Sequence, residues 1–411
     1  MGLIVQKFGG SSVADAERIH KAAKRAVAAK ERGNQVVVVV SAMGDTTDNL
    51  IELAKSVCGE MNPPKREMDQ LLATGEQVTI ALMAMALHAQ GHEAISLTGG
   101  QIGLVTDTAF SKARIQSIDQ KRIHDQLNAG KIVIIAGFQG ITSTGDLTTL
   151  GRGGSNATLV AVGAVLNADV CENYTDVDGI YTADPRLVPT ARKIDRISYD
   201  EMLELSGVGA SVLQTRAVEF AKKYNVPLHV RNSQNDHEGT WIVAETPNME
   251  HIVVSGAALK KDITRVSIKN VPDKPGVAAK IFGDIATANI VVDDIIQNVM
   301  DDNTASISFT VEHGDLADIK PVVDRIVKEL GDKTKVTYNG DLAKVSVVGV
   351  GMKAHTGVAQ KMFTALAAEK VNIQNITTSE IRITVIIAKQ DAVKALNVVH
   401  EAFELGKTPK G

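Results

Sequence analysis

The sequence predicts an α/β protein: a parallel-sheet-based αβα sandwich followed by two smaller α+β units. Over roughly the first 240 residues, short apolar runs rich in β-formers alternate with amphipathic stretches. This βαβα order predicts a parallel sheet with helices on both faces. Glycine-rich segments follow several of the predicted strands, where ligands of such sheets bind. Beyond Trp241, one pattern of residues occurs twice, which indicates a repeated domain.

Apolar periodicity gives the elements of the first part in order. Val36–Val40 is an uninterrupted β-branched run, which is typical of a buried parallel strand. The segment Ala73-Thr74-Gly75-Glu76 is expected to open a long apolar helix, where Glu76 either compensates the helix dipole or pairs with a substrate ammonium. The other predicted strands are Leu3–Phe8, Lys131–Ala136 and Asp169–Tyr174, and the predicted helices are Asp15–Lys30, Thr79–His88 and Ala157–Leu166.

The repeat begins with Val266-Ser267-Ile268 in its first copy and with Val345-Ser346-Val347 in its second. The offset is 79 residues before the turn (345 − 266) and 81 after it (357 − 276), so the second copy holds two extra residues. Each copy predicts strand, turn, helix and strand, with the turns at Asp273–Ala279 and His355–Ala359. A turn that leads into a helix N-terminus suits the carboxylate of an amino acid. The alternative is that the two units are stacked only for stability.

Composition excludes several classes of protein. A length of 411 residues with 44% hydrophobic and 22% charged residues predicts two or three soluble domains. A net charge of −4 and 3% aromatic residues argue against a nucleic-acid partner. Two cysteines, Cys58 and Cys171, cannot build a disulfide framework or a cysteine zinc site, and we expect a cytoplasmic protein. No targeting segment is visible, no long apolar run suggests a membrane partner, and the histidines have no metal-ligand spacing.

Three segments carry the residues suited to chemistry. In the first, Lys7 lies near the end of a predicted strand and is followed by Gly9 and Gly10. The backbone amides of this turn and the full charge of Lys7 could hold phosphate. In the second, Leu150–Ser155, Arg152 stands among glycines and could grip a carboxylate or phosphate. The third, Tyr174–Arg186, could line a nucleotide pocket and bring a carboxylate near magnesium. Their alternatives are a serine-capped glycine turn, a structural loop and a solvated acidic loop.

Together with Gly137-Phe138-Gln139-Gly140 and the paired C-terminal units, these motifs resemble the aspartokinase (aspartate kinase) family over essentially the whole chain. The closest resemblance is to the monofunctional class regulated by lysine and threonine. It implies an amino acid kinase fold at 1–245, a linker or added strand at 246–263, and ferredoxin-like ACT domains at 264–340 and 341–411.

The resemblance also implies the reaction, which is transfer of the γ-phosphoryl group of ATP, with Mg²⁺, to the side-chain carboxylate of L-aspartate. Lys7, Glu76 and Arg152 would be catalytic, and no protein metal ligands are expected. The residues implied to hold aspartate are Thr47, Glu76, Arg152, Gly153, Gly154 and Ser155. Those implied to hold the nucleotide are Lys7, Phe8, Gly9, Gly10, Tyr174, Thr175, Asp176, Ile180, Tyr181, Thr182, Ala183, Asp184, Pro185, Ala210 and Ser211.

For the ACT units, the resemblance and the two turns together predict binding of lysine, threonine or both as effectors. Because ACT units commonly pair across subunits, a homodimer or larger assembly is expected. The implied effector residues are Asp273, Lys274, Pro275, Gly276, Val277, Ala278, Asp293, Gln297, Asn298, Val358, Ala359, Asn372, Ile373, Ser379 and Glu380.

Three positions depart from the family pattern. Asn156 stands where the family has aspartate after its Arg-Gly-Gly-Ser motif, Ser211 stands in place of a lysine, and Asn173 replaces an isoleucine in a strand. These departures support an alternative of another class, a non-catalytic amino-acid sensor with a degenerate kinase domain. A related kinase acting on another small carboxylate or carbamate is the third hypothesis.

Overall fold

A computed structural model describes residues 2–151, 153–209, 212–244, 253–300 and 302–408. The chain divides into two units. The first contains Met1–Tyr181, Lys193–Gly207 and Ser211–Asn248, and the second contains Thr182–Arg192, Val208–Ala210 and Met249–Gly411. The chain therefore leaves the first unit after Tyr181 and returns to it at Lys193.

The first unit is built on a sheet of eight strands in the order β12-β14-β13-β9-β1-β2-β6-β3. Its central pairs are parallel, as the alternating pattern predicts, and a smaller sheet has the order β5-β4-β7-β8. The strands of this unit are β1 (Leu3–Phe8), β2 (Gln35–Val40), β3 (Ala94–Leu97), β4 (Val105–Thr106), β5 (Ile115–Ser117), β6 (Ile132–Ala136), β7 (Gln139–Ile141), β8 (Leu147–Thr149), β9 (Val170–Thr175), β10 (Ile180–Tyr181), β11 (Lys193–Ile194), β12 (Arg196–Ser198), β13 (Leu228–Asn232) and β14 (Thr240–Val243).

Helices pack against the large sheet. One face of the sheet buries Val36, Val38 and Ile134 in a cluster with residues of the first and third helices, and the fifth helix packs on β1 and β9. The helices of this unit are α1 (Ala16–Glu31), α2 (Thr46–Cys58), α3 (Lys65–Ala89), α4 (Lys121–Asn128), α5 (Gly154–Val165), α6 (Tyr199–Gly207) and α7 (Thr215–Tyr224).

The helix α3 differs from its prediction. It begins at Lys65 rather than near Glu76, and its first turns are mostly charged or polar, with only Met68, Leu71 and Leu72 apolar before Ala73. Glu76 therefore lies in the middle of the helix, and the dipole-capping interpretation of this residue is wrong. Length and composition alone would let α3 cross a membrane, but half of its most apolar window is buried inside the chain.

The second unit contains one sheet with the strand order β16-β17-β15-β18-β20-β19, in which the repeat is visible as strand, helix, two strands and helix. Residues 256–263, predicted as linker or added strand, form the first part of its long strand β15. The strands are β15 (Gly256–Pro272), β16 (Asp293–Val299), β17 (Thr304–Glu312), β18 (Lys335–Val348), β19 (Ile373–Thr378) and β20 (Arg382–Ala388). The helices are α8 (Val277–Thr287), α9 (Leu316–Leu330), α10 (Val358–Ala368) and α11 (Ala392–Ala402).

The stretch Thr182–Arg192 contributes to the core of the second unit. Ala183 and Val188 are buried in the same apolar cluster as Val345 of β18. The Thr182 hydroxyl accepts a hydrogen bond from the Arg192 backbone N–H and lies 3.0 Å from Nε2 of His400 in α11. This segment is thus folded as part of the second unit rather than as a surface loop.

A close contact between α5 and β9 generates a stability prediction. A Cβ on Gly163 would lie 2.2 Å from the Cys171 sulfur. We expect Gly163→Ala to lower the free energy of unfolding by about 1–3 kcal/mol through overpacking, measured by urea denaturation. Adding Cys171→Ala should restore part of that loss. The control is Gly207→Ala in α6, where a Cβ meets nothing within 4 Å. Equal stability of the Gly163 and Gly207 variants would contradict this account.

Candidate functional site

A cavity of about 390 Å³ opens in the first unit, beside the carboxyl ends of β1 and β2. Its walls come from two strand ends, from α2 and α3, and from the glycine-rich start of α5. The lining residues are Lys7, Ser41, Thr47, Asp48, Ile51, Leu72, Glu76, Ser111, Phe138, Thr149, Gly151, Gly153, Gly154, Ser155 and Asn156. Sequence segments far apart in the chain therefore meet at the sheet edge where ligands of parallel sheets bind.

Lys7 supplies the cation of this cavity. It lies near the end of β1 and is only 8% exposed. Burial lowers the pKa of its ammonium to about 8, while the negative charge of Asp176 acts in the opposite direction. A Cβ on Gly9 would lie 3.4 Å from Lys7 Nζ, so the ammonium sits over the glycine turn. A phosphate at this turn could be reached by both the ammonium and backbone amides.

Glu76 supplies the anion. Its side chain is 2% exposed, and Oε1 accepts a hydrogen bond from the Ala42 backbone N–H at 2.9 Å. Its Oε2 is buried and has no hydrogen-bond partner among the described residues. Burial raises the pKa of this carboxyl to about 7, against the opposing effect of the Ala42 N–H. A carboxylate with a free buried oxygen is suited to a ligand that brings a positive charge.

The start of α5 forms the third element of the cavity. Gly153 precedes the helix with φ +67°, a conformation that favours glycine. Gly154 must also lack a Cβ, which would lie 2.8 Å from the Leu150 side chain. Ser41 Oγ donates to Ser155 Oγ at 2.9 Å, which joins this helix to the end of β2. The first-turn amides of α5 thus give the cavity a region of partial positive charge.

The departures Asn156 and Asn173 are both buried. Asn156 lines the cavity, and its Oδ1 has no partner among the described residues. Asn173 lies beside Lys7 in the sheet, and neither atom of its amide has a described partner. An unsatisfied buried amide costs on the order of 1–3 kcal/mol, so Asn173 is expected to lower the stability of this sheet.

The structure brings most of the predicted aspartate residues together. Those that line the cavity are Thr47, Glu76, Gly153, Gly154 and Ser155, and Lys7, which was predicted to hold phosphate, lines it as well. Arg152, Ala210 and Ser211 lie outside the described residues. The roles assigned to all of these positions stay predictions.

The predicted nucleotide residues are dispersed. Phe8 and Tyr174 are buried and stacked, with ring centroids 4.8 Å apart, and the Gly9 N–H donates to the Tyr174 carbonyl at 3.3 Å. Thr175 Oγ1 donates to Asp176 Oδ1, and Ile180 and Tyr181 form β10. Gly10 begins a short 3₁₀ helix after β1, and Thr182, Ala183, Asp184 and Pro185 belong to the second unit.

A second cavity, of about 410 Å³, lies in the second unit at the turn between β15 and α8. Gly276 precedes α8 with φ +93°, and Gln297 reaches the cavity from β16. Its walls are Val271, Pro272, Asp273, Lys274, Pro275, Gly276, Val277, Ala278, Gln297, Ala305 and Ile307. The turn predicted to hold an effector therefore borders a real cavity.

The other predicted effector residues lie elsewhere in the same unit. Asp293 forms an ion pair with Lys344 at 2.6 Å, and Glu380 forms one with Lys353 at 2.6 Å. The remaining ones are Asn298 in β16, Val358 and Ala359 in α10, Asn372 directly before β19, Ile373 in β19, and Ser379 directly after it.

Sequence reasoning missed several contributors to the first cavity and its support, among them Ile51, Asp69, Leu72, Ser111 and Thr149. Asp69 and Leu72 precede Glu76 by seven and four residues, so helical spacing could have placed them on its face of α3. Ser111, with φ +71°, lies in the loop between β4 and β5, and Thr149 ends β8, a strand too short to give a pattern.

Among the described residues, no group of three or more histidines, cysteines and carboxylates could hold a metal ion. The donors around the first cavity are an ammonium, hydroxyls, backbone amides and a few separate carboxylates. This set fits a metal ion that arrives coordinated by phosphate oxygens and water.

Comparison with known proteins agrees with this architecture. Residues 2–232 match the amino acid kinase family, and residues 264–331 and 345–403 match ACT domains. The chain is 50% identical over 406 residues to an aspartate kinase of Pseudomonas fluorescens, covering 98% of each chain. It is 50% identical over 409 residues to aspartokinase 2 of Bacillus subtilis, covering 100% of this chain and 99% of the other.

Among solved structures, E. coli aspartokinase III in complex with aspartate and ADP, in its R-state, is similar with a TM-score of 0.86. The sequence identity is 25%, with 97% of this chain and 99% of the other covered. The T-state of that enzyme, in complex with lysine and aspartate, shares the fold with a TM-score of 0.73 at 24% identity, covering 98% of this chain and 99% of the other.

The chain belongs to the amino acid kinase family. It is 50% identical over nearly its full length to an aspartate kinase and to an aspartokinase. Two ACT domains follow the kinase domain. The protein is an aspartate kinase, an enzyme that uses a nucleotide. The family resemblance and the fold class predicted from the sequence are both confirmed.

The two displaced pKa values generate a prediction about pH. The carboxylate of Glu76 forms as pH rises through about 7, and the ammonium of Lys7 is lost as pH rises through about 8. We expect kcat/KM for aspartate to rise across the first value and fall beyond the second. Glu76→Gln should abolish the acidic limb of the profile, and Glu67→Gln, an exposed carboxylate on the same helix, should retain it. An unchanged acidic limb in Glu76→Gln would show that the Glu76 carboxyl is not the group whose ionisation raises kcat/KM.

Proposed function

We propose that this aspartate kinase transfers the γ-phosphoryl group of ATP to the side-chain carboxylate of L-aspartate and forms 4-phospho-L-aspartate. The observation that carries the proposal is the first cavity, where one buried ammonium and one buried carboxylate with a free oxygen meet the start of α5. We further propose that the reaction is the entry step of lysine, threonine and methionine biosynthesis, including the diaminopimelate route. The free thiols Cys58 and Cys171 support a cytoplasmic location.

In this proposal six residues hold the substrate aspartate. Glu76 binds its α-ammonium through Oε2, and Arg152 binds its α-carboxylate as a bidentate partner. Thr47, Gly153, Gly154 and Ser155 complete the wall around it. The side-chain carboxylate, which is the nucleophile, is thereby directed toward the terminal phosphate. Phosphoryl transfer depends mainly on such positioning and on charge stabilisation.

Lys7 and the turn after β1 hold the phosphates. The ammonium stabilises the negative charge that spreads over the transferring oxygens, and Phe8, Gly9 and Gly10 bring backbone close to them. When bound, Mg²⁺ neutralises further phosphate charge, and Asp176, which acts electrostatically on Lys7, is the carboxylate we assign near it. The nucleotide would lie against Tyr174, Thr175, Ile180 and Tyr181, which belong to the first unit.

We propose that lysine, threonine or both inhibit the enzyme through the ACT domains. The cavity between β15 and α8 supports this, because it joins a helix N-terminus to the carboxylate of Asp273 and the amide of Gln297. Such a site offers partners for both ends of an amino acid. E. coli aspartokinase III was crystallised with lysine, and our proposal extends that ligand class to this chain.

We also propose that the ACT domains join subunits into a homodimer or larger assembly. The edge strands β16 and β19 support this, because Ile295, Val299 and Ile376 are exposed apolar side chains on them. An edge strand with apolar side chains is a template for pairing with another chain.

The aspartate site is tested by removing the arginine. Arg152→Ala should raise the KM for aspartate by about tenfold or more, because each charge-assisted hydrogen bond is worth roughly 1.5–3 kcal/mol. Steady-state kinetics should find the KM for ATP nearly unchanged. Arg32→Ala, at the exposed end of α1, is the matched control. An aspartate KM equal to that of the control would remove Arg152 from the site.

The regulatory proposal is tested at Gln297. In a kinase assay with lysine and threonine, singly and together, we expect inhibition of the wild type and loss of that inhibition in Gln297→Ala. Uninhibited turnover should not change, since the residue lines only the cavity of the second unit. Asn339→Ala, an amide on β18 that accepts from the Asp341 N–H, should remain inhibited. A fully active wild type with saturating lysine and threonine, and no binding by calorimetry, would disprove the regulation.

A further inference from the structure

Asp69, in the second turn of α3, is completely buried and accepts hydrogen bonds from two separate segments. Its oxygens accept the Ser111 backbone N–H at 2.9 and 3.1 Å. They also accept the Thr149 backbone N–H at 2.8 Å and the Thr149 hydroxyl at 2.7 Å. A buried carboxylate satisfied in this way forms strong, well-oriented hydrogen bonds.

Both partners of Asp69 line the first cavity, although Asp69 itself does not. Ser111 belongs to the segment before β5 and has φ +71°. Thr149 ends β8 and precedes the glycine turn that leads to α5. The two segments are pressed together, since the Ala113 N–H donates to the Thr149 carbonyl at 2.9 Å. A Cβ on Gly151 would lie 3.1 Å from the Ser111 carbonyl oxygen.

The same face of α3 also supports the rest of the cavity. Asp69, Ala73 and Glu76 are spaced four and three residues apart, so they share one helix face. The Ala73 carbonyl accepts from the Gln139 side-chain amide at 2.9 Å. Glu76 accepts from the Ala42 N–H at 2.9 Å. One rigid helix thus fixes the ends of β2 and β8, the start of β7 and the Ser111 segment.

We propose that Asp69 is a positioning residue for the substrate aspartate. Its carboxylate sets the place of Ser111 and Thr149 relative to Glu76, and so fixes the width of the cavity and the start of the turn that carries Arg152 in sequence. Asp69 makes no contact with the substrate itself. This inference rests on the proposed assignment of the first cavity to aspartate.

Asp69→Asn tests the inference, because the amide turns an acceptor into a donor that faces N–H groups. We expect the KM for aspartate to rise by about tenfold or more, as loss of defined geometry at the site predicts, while the KM for ATP changes less than about twofold. Asp146→Asn is the matched control. Asp146, directly before β8, also pairs with α3, through Arg66 at 2.9 Å, but its side chain is 37% exposed and it lies outside the cavity lining.

A second pair of variants applies if Asp69→Asn does not fold. Thr149→Val deletes only the hydroxyl donor to Asp69, and Thr149→Ser keeps it, so the aspartate KM should rise more in the valine variant. Hydrogen exchange should also show faster exchange of the Ser111 amide in Asp69→Asn than in Asp146→Asn.

Two results would overturn the inference: an aspartate KM in folded Asp69→Asn equal to that of Asp146→Asn, or equal rises of the aspartate and ATP KM values. If Asp69→Asn does not fold, equal aspartate KM values in the two Thr149 variants would overturn it. Glu76→Gln separates this failure from that of the proposed function. A raised aspartate KM in Glu76→Gln with no effect at Asp69 refutes only the positioning role, whereas no effect in either variant refutes the aspartate site.

Discussion

Two opposite charges, Lys7 and Glu76, are buried at one cavity, and neither forms an ion pair within the described part of the chain. Burial moves their pKa values toward each other, to about 8 and about 7. Unneutralised buried charge is unfavourable for folding, so the surrounding sheet and helices must hold both groups in place. The arrangement is completed electrostatically only when a ligand carrying both signs of charge enters. The parallel sheet, the glycine turns and α3 together hold Lys7 and Glu76 at this cavity.

The second unit contains a buried lysine whose charge is balanced within the protein. Lys344 in β18 has a side chain only 4% exposed and pairs with the carboxylates of Asp293 and Asp294. The Lys344 ammonium holds the pKa of Asp293 below its usual range, although burial acts in the opposite direction. Comparison of Lys7 with Lys344 separates two uses of a buried cation. Lys7 forms no ion pair with a described residue, whereas Lys344 joins β18 to β16 through its carboxylate partners.

Much of the first unit could be predicted because its strands are apolar runs and its ligand turns are glycine-rich. Gln35 extends the predicted strand Val36–Val40 to give β2. Gly153 lines the first cavity, and Gly9 follows Lys7, which also lines it, by two residues. The start of α3 was predicted too late, because its first turns are mostly charged or polar and only Met68, Leu71 and Leu72 there are apolar. The same error left Asp69 out of the predicted site. Ser111 and Thr149 could not be predicted as cavity residues, because their contacts join residues that are far apart in sequence. Thr182–Arg192 packs in the second unit through tertiary contacts, which the local sequence pattern does not predict.

The packing of Thr182–Arg192 in the second unit limits how the protein can be divided into separately folding fragments. A fragment ending at residue 244 would keep Ala183 and Val188 but lose the apolar residues they pack against, such as Val345. A fragment beginning at residue 253 would keep Val345 and lose those two. Either half made alone would thus expose apolar surface that the whole chain buries, and an exposed patch of this kind favours aggregation or a new partner. The domains that follow one another in sequence are therefore not independent modules, since one core is assembled from both sides of the boundary.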